Sequence, residues 1–275
     1  MDVTPRYLGA GSFLGRRDPR VLLLVPVLYL VAVAGIDDLR GVLLCAAFAV
    51  VYYRAAGIPW RGVRRNWAFM LTFTTVLVLF NSVLTSAVTA GAGGDVLFTV
   101  PLTGTDVTPG TLSYAATLLV RYISLAMVGF PVAFCVAPSD LGAAFARLGL
   151  SPRLAYGVDL TFRFLPSTAA ALQATIDAQR VRGYDHSRSR NPIKRLRSLR
   201  PVVIPVTVNA LLDAEDTANA MDLRGFGTVR RRTWMRELAF DRVDYLVLAV
   251  FALLAVVMTV AKIAGLTGNV WIPFT

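Results

Sequence analysis

Two short stretches of this chain offer the same chemistry at the same spacing. Residues 178–184 read Ala-Gln-Arg-Val-Arg-Gly-Tyr and residues 220–226 read Ala-Met-Asp-Leu-Arg-Gly-Phe, both of the form A-x-x-[VL]-R-G-[YF], forty-two positions apart. The guanidinium of Arg182 or Arg224 is a planar fork of five donors that suits carboxylates and carbonyls on another surface. Each Arg-Gly pair is also a natural helix end, since Gly183 or Gly225 takes a left-handed C′ position at low cost and arginine complements the negative end of the helix dipole. Capping alone does not require the repeated alanine (Ala178, Ala220), the branched aliphatic before the arginine (Val181, Leu223) or the aromatic after the glycine (Tyr184, Phe226). A docking tip accounts for all three, and two such tips call for two equivalent sockets.

Other chemistries find little footing. No G-x-x-x-x-G-K-[ST] occurs, and neither lysine, Lys194 or Lys262, lies in a glycine-rich loop, so a triphosphate has no P-loop cradle here. His186 is the single histidine and sits in a polar stretch, which leaves no histidine-based metal cluster. Cys45 and Cys135 both fall in apolar runs and read as small buried hydrophobes. The expectation is a chain with no catalytic residues, no cofactor and no metal.

The elements that must position the arginines are those of a membrane protein. The 275 residues are 56% hydrophobic and only 16% charged, with a mean hydropathy of +0.60, against about 25% charged residues in soluble domains. Apolar runs able to cross about 30 Å of hydrocarbon occupy residues 21–36, 41–53, 67–90, 111–136 and 243–265. The first two are short, the third and fifth are the clearest, and the fourth carries Arg121 and Pro131. The predicted class is all-α and integral to the membrane, with about five spans. Arg16, Arg17 and Arg20 before an apolar core ending in Ala32-Val33-Ala34 imitate a signal peptide, but more membrane follows.

The net charge of +11 is distributed, not diffuse. Arginines collect before the first span, between the second and third (Arg54, Arg61, Arg64, Arg65), and from Arg147 to Arg236, whereas residues 37–40 and 91–110 hold one arginine between them. Five spans with the N-terminus and the long segment inside, and the C-terminus outside, satisfy the positive-inside rule at every loop. The expected organisation is a membrane part, 1–137, a cytoplasmic region, 138–241, and a final span with an outer tail, 242–275. Within the outer loop 91–110, glycines precede the alternating residues 95–100, which predicts a short β-hairpin or extended flap.

The inner segment reads as helices. Ser139 as N-cap and Gly149 as stop predict a short amphipathic helix. Ser151-Pro152 opens a second, with Leu165, Ala169, Leu172 and Ile176 on one stripe, ending at Arg182-Gly183. A third follows Pro201, with Ile204, Val208, Leu211 and Leu212 on its apolar side, ending at Arg224-Gly225. Gly142, Ala143, Ala144 and Ala146 suit either sliding against a partner helix or plain close packing.

Four stretches now carry a resemblance: Arg17-Asp18-Pro19-Arg20; residues 140–154 with their Leu-Gly-Leu-Ser-Pro core; Arg163-Phe164-Leu165-Pro166 running on to residues 178–183; and residues 201–227, ending in Arg-Gly-Phe-Gly. In these the chain resembles the transmembrane T component of energy-coupling factor transporters, the scaffold subunit of ATP-binding-cassette importers for vitamins and metals. The resemblance implies an L-shaped cell-membrane subunit whose cytoplasmic coupling helices lie over two ATPase subunits and whose membrane helices pack beside a substrate-binding S component. It also implies that Arg182 and Arg224 are the arginines that enter a groove on each ATPase. Val181 and Leu223 depart from the family's usual alanine before that arginine.

Two rival classes make different demands. A self-sufficient channel or secondary transporter would place ionisable groups along a path, and Arg121 is the one strong candidate in the central spans. A membrane-tethered binder of anionic lipid or nucleic acid would use Arg188, Arg190, Lys194, Arg195, Arg197 and Arg200, yet that run lacks interleaved aromatics. No nucleic-acid partner is expected.

Overall fold

The computed structural model describes residues 12–36, 38–89, 98–100, 105–107, 109–184, 199–228 and 240–265. They fall into two compact units, Met1–Ala137 with Ala239–Thr275, and Pro138–Leu238.

In the first unit a 3-10 turn, Leu14–Arg16, leads into α1, Pro19–Val33. Asp18 caps α1 by accepting from the Arg20 N–H, and Pro19 occupies the first turn, where its missing donor costs nothing. Helix α2, Leu39–Ala55, is capped in the same way by Asp38. Helix α3 is Trp60–Thr89, α4 is Pro109–Cys135, and the last helix of the chain, Arg242–Ile263, is numbered α8 below. Between α3 and α4, Phe98–Val100 pairs antiparallel with Thr105–Val107, Thr99 opposite Asp106. This ribbon lies in the loop read as a hairpin or flap.

Helix α2 packs along α4, α1 along α8, and α3 along α4. Val25, Tyr29, Val33, Val42, Cys45 and Ala49 are fully buried. Phe251 stands edge-on to both Tyr29 and Tyr52, with ring centroids 6.2 and 5.4 Å away. Most of the remaining apolar surface points outward, as at Phe69, Phe73 and Val76 of α3 and Leu253, Val256 and Val260 of α8. Such a surface suits hydrocarbon.

Among the described residues, two helices are long and apolar enough to cross a membrane, Ser113–Cys135 and Arg242–Ile263. The fourth and fifth runs of the sequence fall in these two helices. The third run sits in a helix that begins seven residues earlier, at Trp60, and so takes in Arg61, Arg64 and Arg65. Arg121 of α4 donates to the carbonyl of Ile36, in the connection between α1 and α2.

The second unit holds α5, Pro138–Arg147, α6, Pro152–Val181, and α7, Arg200–Leu223. Pro138 opens α5, so Ser139 lies inside its first turn and is not the N-cap; its hydroxyl donates to Asp140 instead. Gly149 does end the helix, at φ +104°. Helix α5 packs closely on α6, where a Cβ at Gly142 would stand 2.8 Å from the Ala155 carbonyl and from the Asp159 Cβ. Ala144 and Ala155 are both fully buried.

Candidate docking site

Helices α6 and α7 end in the same construction. In α6 the N–H of Gly183 reaches the Arg180 carbonyl at 2.9 Å and that of Tyr184 reaches Gln179 at 2.9 Å. In α7 the N–H of Gly225 reaches Asp222 at 2.9 Å and that of Phe226 reaches Met221 at 2.9 Å. This paired 5→2 and 6→1 pattern is a Schellman motif, with Arg182 and Arg224 as C-caps and the glycines at φ +82° and +67°. Helix α5 ends likewise, through Gly149 to Ala146 and Leu150 to Phe145. A glycine thus terminates each of the three described helices of this unit.

The motif also claims the following aromatic, at least in α7. Phe226 packs on Tyr156 of α6 with centroids 4.8 Å apart, a contact between the two helices that gives the aromatic a packing role. Capping and packing therefore explain more of the repeat than spacing alone suggests. They leave the alanine, the aliphatic and the arginine. Val181 is 89% exposed and Leu223 90% exposed, and both arginines are exposed beside them. Among the described residues neither Arg182 nor Arg224 forms a salt bridge; nearby, Arg180 holds Asp177 at 3.3 Å.

The pairing of α6 with α7 decides where the two ends lie. Phe226 meets Tyr156, near the start of α6, whereas the Gln179 amide donates to the Pro201 carbonyl at 3.4 Å, near the start of α7. The helices are antiparallel. Arg182 and Arg224 consequently sit at opposite ends of the pair, separated by roughly the length of the 24-residue α7, about 36 Å. At its end Arg224 borders a groove of about 370 Å³ shared with Tyr156, Arg163, Asp216 and Thr217.

Between the ends, α6 and α7 face each other through Ser167, Thr168, Ala171, Asn209, Ala210 and Asp213. The apolar stripes lie elsewhere. Leu165, Leu172, Ile204, Val208, Leu211 and Leu212 are exposed, whereas Phe164 and Val206 line the α6–α7 groove beside the small and polar residues.

A family model described as cobalt transport protein, CbiQ, matches residues 10–235, a span that takes in both arginine ends. The chain belongs to this family, the T components of energy-coupling factor transporters. Its relatives include the energy-coupling factor transporter transmembrane protein EcfT of Leuconostoc gelidum, 27% identical over 94% of this chain and 96% of that protein. The EcfT of Thermosediminibacter oceani is 28% identical over 91% and 94%, and that of Staphylococcus aureus 26% identical over 94% and 97%. This T component is thus a membrane subunit of a transporter.

In the T component the ten residues of the repeat gather into two places, one at each end of the α6–α7 pair. Tyr156, Arg163 and Asp216, beside Arg224, carry no local signal for that position; only antiparallel pairing brings them there. His186 and most of the basic run, Arg188, Arg190, Lys194, Arg195 and Arg197, lie outside the described residues, while Arg200 opens α7.

Proposed function

We propose that this T component is the energy-coupling scaffold of an ATP-driven importer of a vitamin or transition metal. Arg182 and Arg224 each dock one ATPase subunit, the coupling region 138–241 transmits the closing and reopening of those subunits, and the membrane part passes the motion to a substrate-binding S component. ATP hydrolysis belongs to the partners. The observation that carries the reading is the pair of exposed aliphatic-arginine steps left over once capping has been accounted for, one at each end of α6–α7. Five spans, with the N-terminus and the coupling region in the cytoplasm and the C-terminus outside, complete the arrangement. The channel alternative gains little from Arg121, whose guanidinium is engaged by the Ile36 carbonyl between α1 and α2.

The test is retention of the ATPases by the purified complex. A docked arginine fork whose partner is left unpaired typically costs about 2 to 5 kcal/mol, so Arg182→Ala or Arg224→Ala should loosen the complex and lower uptake. Losing both should release the ATPases, because the second contact no longer benefits from the high local concentration set by the first. Lysine should rescue poorly, as a point charge does not reproduce the fork. Full retention and full uptake in the double alanine variant would reduce both residues to helix caps.

A further inference from the structure

Where α3 runs beside α4, a groove of about 600 Å³ is lined by Arg65, Asn66, Phe69, Met70 and Phe130. The first four residues stand at i, i+1, i+4 and i+5 along one side of α3, and Phe130 faces them from α4. Its two ends differ in chemistry: Arg65 and Asn66 offer charge and an amide, and the other three side chains make the rest apolar.

The level of the polar end is marked by its neighbours. Trp67 donates from Nε1 to the Tyr53 hydroxyl at 2.9 Å, and its ring stands edge-on to Tyr53 at 5.7 Å and to Phe130 at 5.0 Å. A Trp–Tyr pair joined through its polar atoms, with apolar bodies packed on the helices, belongs at the height of lipid headgroups. Charge follows the same plane. Residues 53–94 contain four arginines, Arg54, Arg61, Arg64 and Arg65, and no aspartate or glutamate. Arg54, Arg64 and Arg65 are exposed.

We infer that this groove seats one anionic phospholipid, its phosphate on Arg65 and an acyl chain laid along Phe69, Met70 and Phe130. Charge complementarity favours a lipid over a partner helix. Arginines turned outward at one level, with no acid in the same segment, match a plane of phosphates, while a protein occupant would have to bring its own acidic row to that level. The planar guanidinium grips phosphate by two parallel hydrogen bonds, and the excess positive charge repels the cationic group of a zwitterionic headgroup.

The experiment is native mass spectrometry of the full-length chain, purified with the subunits that accompany it, after titration with phosphatidylglycerol or phosphatidylcholine of matched acyl chains. Phosphatidylglycerol should be retained at least about five-fold better, the factor that one basic residue near an anionic surface typically supplies. The exposed pair change Arg64→Gln with Arg65→Gln should abolish that preference, and Met70→Trp, which fills the groove, should lower retention of both lipids. Phe69→Ala, which removes a wall, gives a second route to the same loss if the tryptophan is not accommodated. Equal retention of the two lipids, or an unchanged preference in the arginine variant, would overturn the assignment. So would competition by inorganic phosphate as effective as that by the lipid, or a photocrosslinker at position 69 that captures a protein helix in place of lipid.

Discussion

Arg17 reaches across 224 positions of the chain to Asp241, its Nη1 donating to Oδ2 at 2.7 Å. Arg17 ends the turn that precedes α1, and Asp241 caps α8, so the bond ties together the starts of two helices that pack along each other. Behind it Asp244 is buried, accepts from the Asp241 N–H at 3.0 Å and lies 4.0 Å from the Arg17 Nε. Arg20 adds a bidentate grip on Asp18 and stacks over Phe240 at 4.0 Å. Residues 17–20, noticed first as a motif, form an electrostatic clasp.

The clasp has a pH signature. The backbone N–H of Arg242, and then the Arg17 guanidinium, hold the Asp241 carboxyl below the usual carboxylate range. A depressed carboxylate contributes stability that is present above the ordinary value, about 4, and is lost as pH falls through the lower folded value. Asp241→Asn keeps a capping side chain and removes the charge. Its thermal unfolding midpoint should lie below that of the parent by a small, constant amount at neutral pH, and the gap should close below about pH 4. A gap of the same size at pH 3 would assign the difference to something other than the ionised pair.

Cap and fork are separable at the arginine ends. Gly183→Ala and Gly225→Ala force a Cβ into left-handed backbone, at about 1 to 2 kcal/mol each, but leave the guanidinium in place. Arg182→Ala and Arg224→Ala leave the Schellman bonds intact. The glycine changes should lower the unfolding midpoint more than they lower ATPase retention, and the arginine changes should do the reverse. Measuring both quantities on all four variants distinguishes a terminator from a docking group.

The α5–α6 contact leaves no room at Gly142. A Cβ there meets backbone and Cβ atoms of α6 at 2.8 Å, so Gly142→Leu should separate the helices, at about 1 to 3 kcal/mol or more. Faster limited proteolysis between Arg147 and Arg153 would report the opening. Unchanged proteolysis and an unchanged unfolding midpoint would mean that the two helices are not held at this crossing.

Topology is open to labelling. With Cys45 and Cys135 replaced, a single cysteine at Gly93 or after Thr267 should react with an impermeant reagent from outside, and one at Ser187 only after the membrane is opened. Outside labelling at Ser187 would invert the arrangement and place the arginine ends away from any cytoplasmic ATPase.

Much of this was legible because its causes are local. A glycine after an arginine closes a helix through bonds that reach back five residues or fewer, so the ends of α6 and α7 could be read from single heptapeptides. Ser139 misled because a proline one position earlier is an equally good opener. Periodicity placed Ile204, Val208 and Leu211 on one side of α7 but could not say which way that side faces: a chain in a membrane, with partners, has more than one apolar surface to satisfy. The meeting of Tyr156 with Phe226, seventy positions apart, and of Arg121 with Ile36 depends on helix pairing, for which no residue in either neighbourhood gives notice.

Two points of support define a line. If the α6–α7 pair is held only at Arg182 and Arg224, it can neither slide along that line nor tilt away from it, yet it remains free to roll about it. Because the supports stand about 36 Å apart at opposite ends of an antiparallel pair, the roll axis runs nearly along the helices themselves. A small twist then carries the outward aliphatic flanks, Leu165 and Leu172 on one helix and Ile204 and Leu211 on the other, sideways through an arc while the two ends stay put. Such a mounting passes on any push or pull of its supports and leaves roll to whatever touches the flanks.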